Sequence, residues 1–436
     1  MAKIRPFRAV SYNQGKISDL SKVVCPPYDI ISPARQEYYH SLHPNNFIHI
    51  LLGKDIPGED KYRRAGVYFK DWLKNKILIQ AEAPAMYFYS QEYILRGEKK
   101  TRLGFIGLLH LPRTFTKVRG LEDKNSSVFR HEHTHLEPKE DRLRLLKQVK
   151  ANLSPIFVLF HDKKRIIQST YQQCIQGKKP IIDITDDEKT IHKLWQIDSG
   201  DILDKIQSKI QNENIFIADG HHRYEVACAY RDEMKKRLDA TTDEEDFNYI
   251  LTYFTNVESK GLTILPIHRL VRLSWKLDFE NLVINLKEYF DVDEVKDRTQ
   301  FFFLMEKGGL AEHVLGMYKN KRYLLLRLKN VKILDKMIGD RPKAYRSLDV
   351  SIFNYIILKN ILRIGLEDKE NISFNPYTDE LIRRVDADTS YIAFFLNPVK
   401  VQQMISVALT GERMPPKSTY FYPKVLSGLV INKHDT

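Results

Sequence analysis

Residues 215–238 read IFIADGHHRYEVACAYRDEMKKRL, and five of them, Asp219, Gly220, His221, His222 and Arg223, concentrate chemically capable groups at one point. They supply an acceptor, a conformationally free glycine, two imidazoles and a permanent cation. Ile215 to Ala218 is a short apolar run closed by the turn pair Asp-Gly, which predicts a buried strand. From His221 there is no Pro or Gly for several turns, and Tyr224, Ala227, Cys228 and Met234 recur at helical spacing. The expected geometry is strand, turn, helix N-terminus. First-turn N–H groups lack intrahelical acceptors and the dipole there is positive, so the turn suits a phosphate. Asp219 is positioned to cap the helix. Asp-Gly before a helix is also ordinary capping chemistry, and paired histidines are commonly solvated. The density of groups sets this turn apart.

Three further segments carry candidates. In RHEHTHLEPKEDRLRLLKQVK, His131, His133 and His135 alternate, so on a strand they would share a face as zinc ligands can, with Glu132 opposite. The HExxH spacing is missing, which favours a polar active-site loop followed by a basic helix from Pro138. VVCPPYDIISP holds Tyr28 and Asp29 in a proline-stiffened loop. GERMPPKST superficially resembles a P-loop, but Pro416 replaces the second Gly and offers no N–H; Arg413, Lys417 and Ser418 remain anion contacts from a loop. His268 and Arg269 close a predicted strand and read as a surface feature or a cleft lining.

The elements that must position these groups follow from punctuation and period. Ser32-Pro33 starts a helix running to about Leu42, and Asp60 to Lys76 is a second, with Tyr62, Ala65, Phe69 and Leu73 facing a sheet. Met86 to Leu95 and Arg102 to Leu111 form a hairpin about Gly97; Pro112 to Asn125 is polar and irregular. ANLSPIFVLF is a strand, His161 to Pro180 a peripheral excursion, and Asp201 to Ile210 a helix leading into the DGHHR strand. Tyr249 to Val257 and Leu262 to Ile267 are further strands. From about residue 275 helices lengthen: Phe279 to Tyr289 and Leu348 to Leu362, with strands at 313–319, 322–328 and 391–396. The fold class is α+β, with an N-terminal domain over 1–274 and a C-terminal one over 275–436. YFYPKVLSGLVI reads as a closing strand.

The 436 residues, 43% hydrophobic and 29% charged, describe a globular chain that needs no staples. A net charge of +13 favours an anionic partner. Three cysteines, Cys25, Cys174 and Cys228, lie far apart, which argues against a disulfide framework or zinc knuckle. With no signal-peptide core and no run of eighteen apolar residues, the expectation is a cytoplasmic protein without membrane contact.

FIADGHHRYE resembles the signature of a bacterial and archaeal family catalogued as a domain of unknown function, number 1015. The resemblance continues through IRPFRAVSYN, VVCPPYDIISP, NFIHILLGK, HEHT, ANLSPIF, LPIHRLV, SLDVSIFNYIIL and GERMPPKSTYFYPKVLSGLVIN. DGHHR is also similar to the phosphate-binding turn of the ParB/sulfiredoxin-like fold, which includes free-serine kinases. The resemblance implies a mixed-sheet core, a nucleotide (ADP or ATP) with Mg²⁺, and phosphoryl transfer between it and a small hydroxyl metabolite such as L-serine, or the reverse from phosphoserine. Gly220, His222 and Arg223 would grip phosphate, joined by His131, His133, Lys417 and Ser418. Glu132, Asp29 and Asp219 are candidates for the carboxylate that orients the hydroxyl, with His221 beside them; Glu132, in a loop rich in imidazoles, comes first, Asp29 in its proline-stiffened loop second, and Asp219 is engaged if it caps the helix. A homodimer is one assembly in view. The competing reading is a ParB-like nucleotide- or DNA-binding protein; no recognition helix is evident, which disfavours nucleic acid. No cysteine stands in the DGHHR turn, which removes the nucleophile a sulfiredoxin-type reductase requires.

Overall fold

The computed structural model describes residues 2–112, 127–238, 242–275, 277–366, 368 and 370–435; the expected irregular segment Pro112 to Asn125 lies, apart from Pro112, outside them. Local chemistry sets the elements. Ser32 caps α1 (Pro33–Leu42), its Oγ accepting from the Arg35 N–H, with Pro33 in the first turn. The hairpin of Met86–Leu95 and Glu98–His110 turns on Arg96 and Gly97, both with positive φ (52° and 81°), the hand that matches strand twist.

The chain divides into two compact units. Met1–Arg130, Thr134–Thr263 and Pro423–Thr436 form the first; His131–His133 and Ile264–Tyr422 form the second. A single cut after residue 274 does not describe this division, because the last segment pairs back onto the first unit, Asn432 with Asn152 and Lys433 with Ala151. YFYPKVLSGLVI is accordingly not one strand: only Tyr420–Tyr422 and Asn432–Lys433 are extended and paired.

The first unit is built on a mixed sheet of β1 (Ile4–Arg5), β2 (Met86–Leu95), β3 (Glu98–His110), β4 (Val128–Phe129), β5 (Ile156–Phe160), β6 (Ile182–Thr185), β7 (Ile191–Ile197), β8 (Ile215–Asp219) and β9 (Tyr249–Asn256). Their order is β4-β8-β5-β9-β3-β2-β7-β6, with β1 on β3; β4/β8 and β5/β9 are parallel and the other pairs antiparallel. Met86 to Gln91 are buried without a break, so that half of β2 does not alternate, as expected for a strand covered on both faces. The core joins Phe88, Phe105, Val158, Ile217 and Phe254 to Tyr224 of the following helix.

The main helices of this unit are α2 (Lys61–Lys74), α3 (Leu136–Val149), α4 (Gly200–Ile210) and α5 (His221–Arg237). The buried face of α2 is Ala65, Gly66, Phe69 and Trp72, slightly rotated from the expected stripe, and it packs chiefly on α3 instead of on a sheet. Gly66 permits this approach, since a Cβ there would lie 2.8 Å from the Gln148 carbonyl oxygen. The segment 161–180 is not peripheral: Ile166, Ile167 and Ile175 are buried in the sheet's core.

The second unit has its own sheet: β10 (His268–Arg272), β11 (Phe290–Val295), β12 (Val314–Lys319), β13 (Arg322–Leu328), β14 (Ile372–Asn375) and β15 (Tyr391–Phe395), ordered β11-β13-β12-β15-β10-β14 and antiparallel throughout. His268 and Arg269, expected at a surface or cleft, are each 2% exposed inside this sheet. Arg269 donates to the carbonyls of Ile267 and Lys417 through its two terminal nitrogens, its Nε is buried without a hydrogen-bond partner, and the guanidinium lies over the rings of Phe353 and Phe374. The whole is an α+β fold. Among the described residues, no helix is long and apolar enough to cross a membrane.

Candidate functional site

β8 ends as anticipated, and its last residue is re-aimed. Its register with β5 shifts between Ile217 and Asp219, an irregularity of the kind that turns a side chain out of the pleat. Gly220 follows with φ 94° and starts α5. A Cβ at Gly220 would lie 2.9 Å from Ile156 Cγ2 and 3.1 Å from Arg223 Cζ, so conformation and space both require glycine.

Asp219 does not cap α5; no side chain does. Its Oδ2 accepts from Arg223 Nη2 at 2.7 Å and its Oδ1 from Lys424 Nζ at 2.6 Å. The three side chains are 15%, 12% and 10% exposed respectively. Burial favours the neutral acid, but the Lys424 ammonium and then the Arg223 guanidinium outweigh it and hold the Asp219 carboxyl well below the usual carboxylate range. A carboxylate so stabilised is a poor proton acceptor and a good anchor for cations. Arg223 also donates through Nη1 to the Pro155 carbonyl, which leaves its plane fixed.

The next turn of α5 gathers the end of the RHEHTH segment. Glu225 Oε1 accepts from Arg130 Nη1 at 2.7 Å, and its Oε2 accepts from Thr134 Oγ1 at 2.6 Å and Lys139 Nζ at 3.1 Å. Burial raises the Glu225 carboxyl, but those three donors prevail and lower it. His222 Nε2 accepts the His135 backbone N–H at 3.0 Å, with the two rings stacked. Residues 130–135 are not a strand, so the three histidines do not share a pleated face, and α3 begins at Leu136, not Pro138. Among the described residues there is no group of three or more His, Cys, Asp or Glu able to hold a metal ion.

Beside Arg223 lies a cavity of about 60 Å³, lined by Tyr28, Arg142, Asn152, Ser154 and apolar groups of α3 and α5. Tyr28 and Asp29 lie on a single 3₁₀ turn, Tyr28–Ile30, with Pro27 before it. The Arg142 guanidinium sits 4.2 Å over the Tyr28 ring and donates to the Leu51 carbonyl at 2.7 Å. Burial, and then Asp29, push the Tyr28 hydroxyl well up, so it remains a donor at neutral pH. Asp29 itself is exposed.

Of the expected site residues, Asp219, Gly220, His221, His222 and Arg223 are contiguous, and Asp29 belongs to the same unit. His131, Glu132, His133, Lys417 and Ser418 belong to the second unit. There the buried His131 reaches Thr419 Oγ1 through Nε2 at 3.2 Å, and its carbonyl accepts from Met414 N–H at 2.7 Å, pinning the GERMPPKST loop. Ser418 is buried, its hydroxyl donating to the Pro415 carbonyl at 2.5 Å; Lys417 is exposed at φ 55°. Sequence reasoning missed Lys424 and Glu225, and read Arg142 only as one of the cations on the basic helix. Lys424 stands 205 residues from Asp219, beyond any periodicity, although it lies in the YFYPKVLSG stretch noted above.

Comparisons place the chain among known proteins. It is 28% identical over 150 residues to the transposase for insertion sequence element IS1151 of Clostridium perfringens, a match that spans 31% of each protein's length. Among solved structures it is similar to a free serine kinase variant in complex with ADP (11% identity, 71% of this chain and 89% of that one, TM-score 0.34). It is also similar to SbnI with a C-terminal truncation from Staphylococcus aureus (10%, 69% and 82%, TM-score 0.33). A conserved hypothetical protein from Pyrococcus furiosus is a third (13%, 69% and 89%, TM-score 0.29). The sequence profile of the family described as protein of unknown function (DUF1015) matches residues 4–351, and the chain belongs to that family.

Proposed function

We propose that the protein is a nucleotide-dependent phosphotransferase that moves a phosphoryl group between a nucleotide and a small hydroxyl metabolite such as L-serine, or back from phosphoserine. The observation that carries this reading is the turn itself: a strand end, a glycine at φ 94° with no room for a Cβ, a helix start, and a guanidinium fixed in place. Those parts suit the chemistry. Phosphoryl transfer asks the protein for positioning and charge neutralisation more than for covalent steps. The helix start and Gly220 let oxygens approach the backbone, and His222 and Arg223 supply donors. Mg²⁺ brought with the nucleotide needs one or two protein carboxylates besides phosphate oxygens.

Asp219 serves this reading as an anchor, since both its oxygens hold cations. Within the first unit, Asp29 is then the carboxylate proposed to orient the hydroxyl: it is exposed and follows Tyr28, which lines the cavity together with Arg223. Glu132, the first choice from sequence, is tested by substitution alone. The experiment incubates the protein with Mg²⁺ and a panel of ADP and ATP against serine, phosphoserine and related metabolites. Turnover that falls about 10²-fold or more in Asp29→Asn or Glu132→Gln identifies the orienting carboxylate. If neither loses turnover, neither is the orienting carboxylate; Asp219→Asn is expected to lose nucleotide affinity together with turnover, as the loss of an anchor does, and a folded variant that loses turnover at unchanged affinity puts the base in the DGHHR turn.

A second reading, a nucleotide- or DNA-binding protein without metabolic catalysis, is favoured by the partial match to the transposase and by the net charge of +13. DNA binding that weakens steeply with salt, without turnover, would select it.

A further inference from the structure

The segment that returns to the first unit, Pro423–Thr436, is bound from several sides. The buried Arg102 donates through Nη2 to the Pro423 carbonyl at 2.5 Å, and the buried Gln91 donates to the Lys424 carbonyl at 2.9 Å. Ser427 pairs with the Cys25 backbone and lies 2.6 Å from Ser154 through the two hydroxyls; Ile431 pairs with Val10. The Ser154-Pro155 turn therefore holds both halves of one arrangement: Ser154 fastens the returning segment and the Pro155 carbonyl fastens the Arg223 guanidinium. Between them stands Asp219, with one oxygen for Arg223 and one for Lys424.

We propose that Lys424 is a second phosphate-binding cation of the DGHHR turn, and that Asp219 is a positioning residue which sets the ammonium and the guanidinium at a common spacing. The inference rests on the phosphotransferase reading and adds to it a residue outside the span, residues 4–351, that the family profile matches. Its logic is geometric. Asp219 accepts from both cations, one on each oxygen, and the Pro155 carbonyl accepts a second donor of Arg223. Two side chains with high rotamer entropy are thereby ordered beside the helix start before any ligand arrives, which lowers the cost of binding a phosphate. Lys424 can reach this place because its own backbone is clamped at Pro423 and Lys424 by groups with no exposure. The ligand class is a terminal or bridging phosphate of a nucleotide, bound by charge-assisted hydrogen bonds.

Calorimetry on the full chain tests this with three probes: ADP, inorganic phosphate and adenosine. Lys424→Met is expected to weaken ADP and phosphate about tenfold to a hundredfold while adenosine binding is unchanged; Lys424→Arg keeps ADP affinity within a few-fold of the parent. Thermal denaturation certifies folding, and Lys424→Gln stands in if the Met variant does not fold. A folded Lys424→Met that binds ADP as the parent does, or that loses ADP and adenosine alike, overturns the inference while leaving the phosphate turn standing. A parent that binds neither ADP nor phosphate overturns the phosphotransferase reading itself.

Discussion

Two stretches of this chain have similar letters and different geometry. DGHHR, with Lys424, and GERMPPKST each bring together glycine, arginine, lysine and short polar side chains. In the first, a largely buried carboxylate holds two cations at a helix start that follows a strand. In the second, the serine hydroxyl is spent on the Pro415 carbonyl, Pro416 contributes no N–H, and Lys417 stands exposed in the left-handed region. Composition suggests an anion site in both. Only the first orders its donors on a rigid element, which separates a site from a turn.

Breaking each stretch at its polar anchor should give the largest difference. Asp219→Ala leaves two largely buried cations without their shared carboxylate, and a loss of about 3–5 kcal/mol is expected in chemical denaturation followed on the first unit. Ser418→Ala removes one neutral buried hydrogen bond and should cost about 1 kcal/mol. Equal losses would mean that Asp219 is no more than a surface pair.

The returning segment adds a pH dependence. Burial holds the His434 imidazole down to about 4, near Tyr230. The unfolded chain takes up this proton near pH 6.5 and the folded one only near 4, so the proton favours unfolding between those values. Stability should be constant above pH 6.5, fall by about 3 kcal/mol as pH drops from 6.5 to 4, and lose nothing more from this group below that. His434→Phe should flatten that interval; an unchanged slope would show that His434 titrates normally.

The two backbone positions give the smallest pair. Gly220→Ala meets Ile156 at 2.9 Å in a conformation that L side chains avoid, and should cost about 1–3 kcal/mol. Lys417→Gly exchanges a left-handed penalty for chain entropy and should stay within about 1 kcal/mol. Melting temperatures of both, measured side by side, check the contrast.

Much of the scaffold was legible in the residues. Ser32-Pro33 marks the start of α1, Arg96-Gly97 marks the hairpin, and the run Ile215–Ala218 before Asp-Gly marks β8 and the start of α5, because caps, turns and apolar runs act over a few residues. What escaped acts at long range. The Asp219 carboxylate looked like a cap because one of its two partners, Lys424, is 205 residues away. Residues 130–135 alternate like a strand, yet their groups are drawn to Glu225 and His222 and the backbone leaves the pleat. Arg269 looked like a surface charge because no local pattern announces a buried guanidinium held between carbonyls and rings.

The central claim is that the DGHHR turn binds phosphate through Arg223, and titration of ADP into the parent and into Arg223→Ala tests it most directly. Binding by the parent, weakened by about 1.5–3 kcal/mol in a folded variant, is the predicted result. Equal ADP affinity in a folded Arg223→Ala, or no binding by the parent, would contradict it.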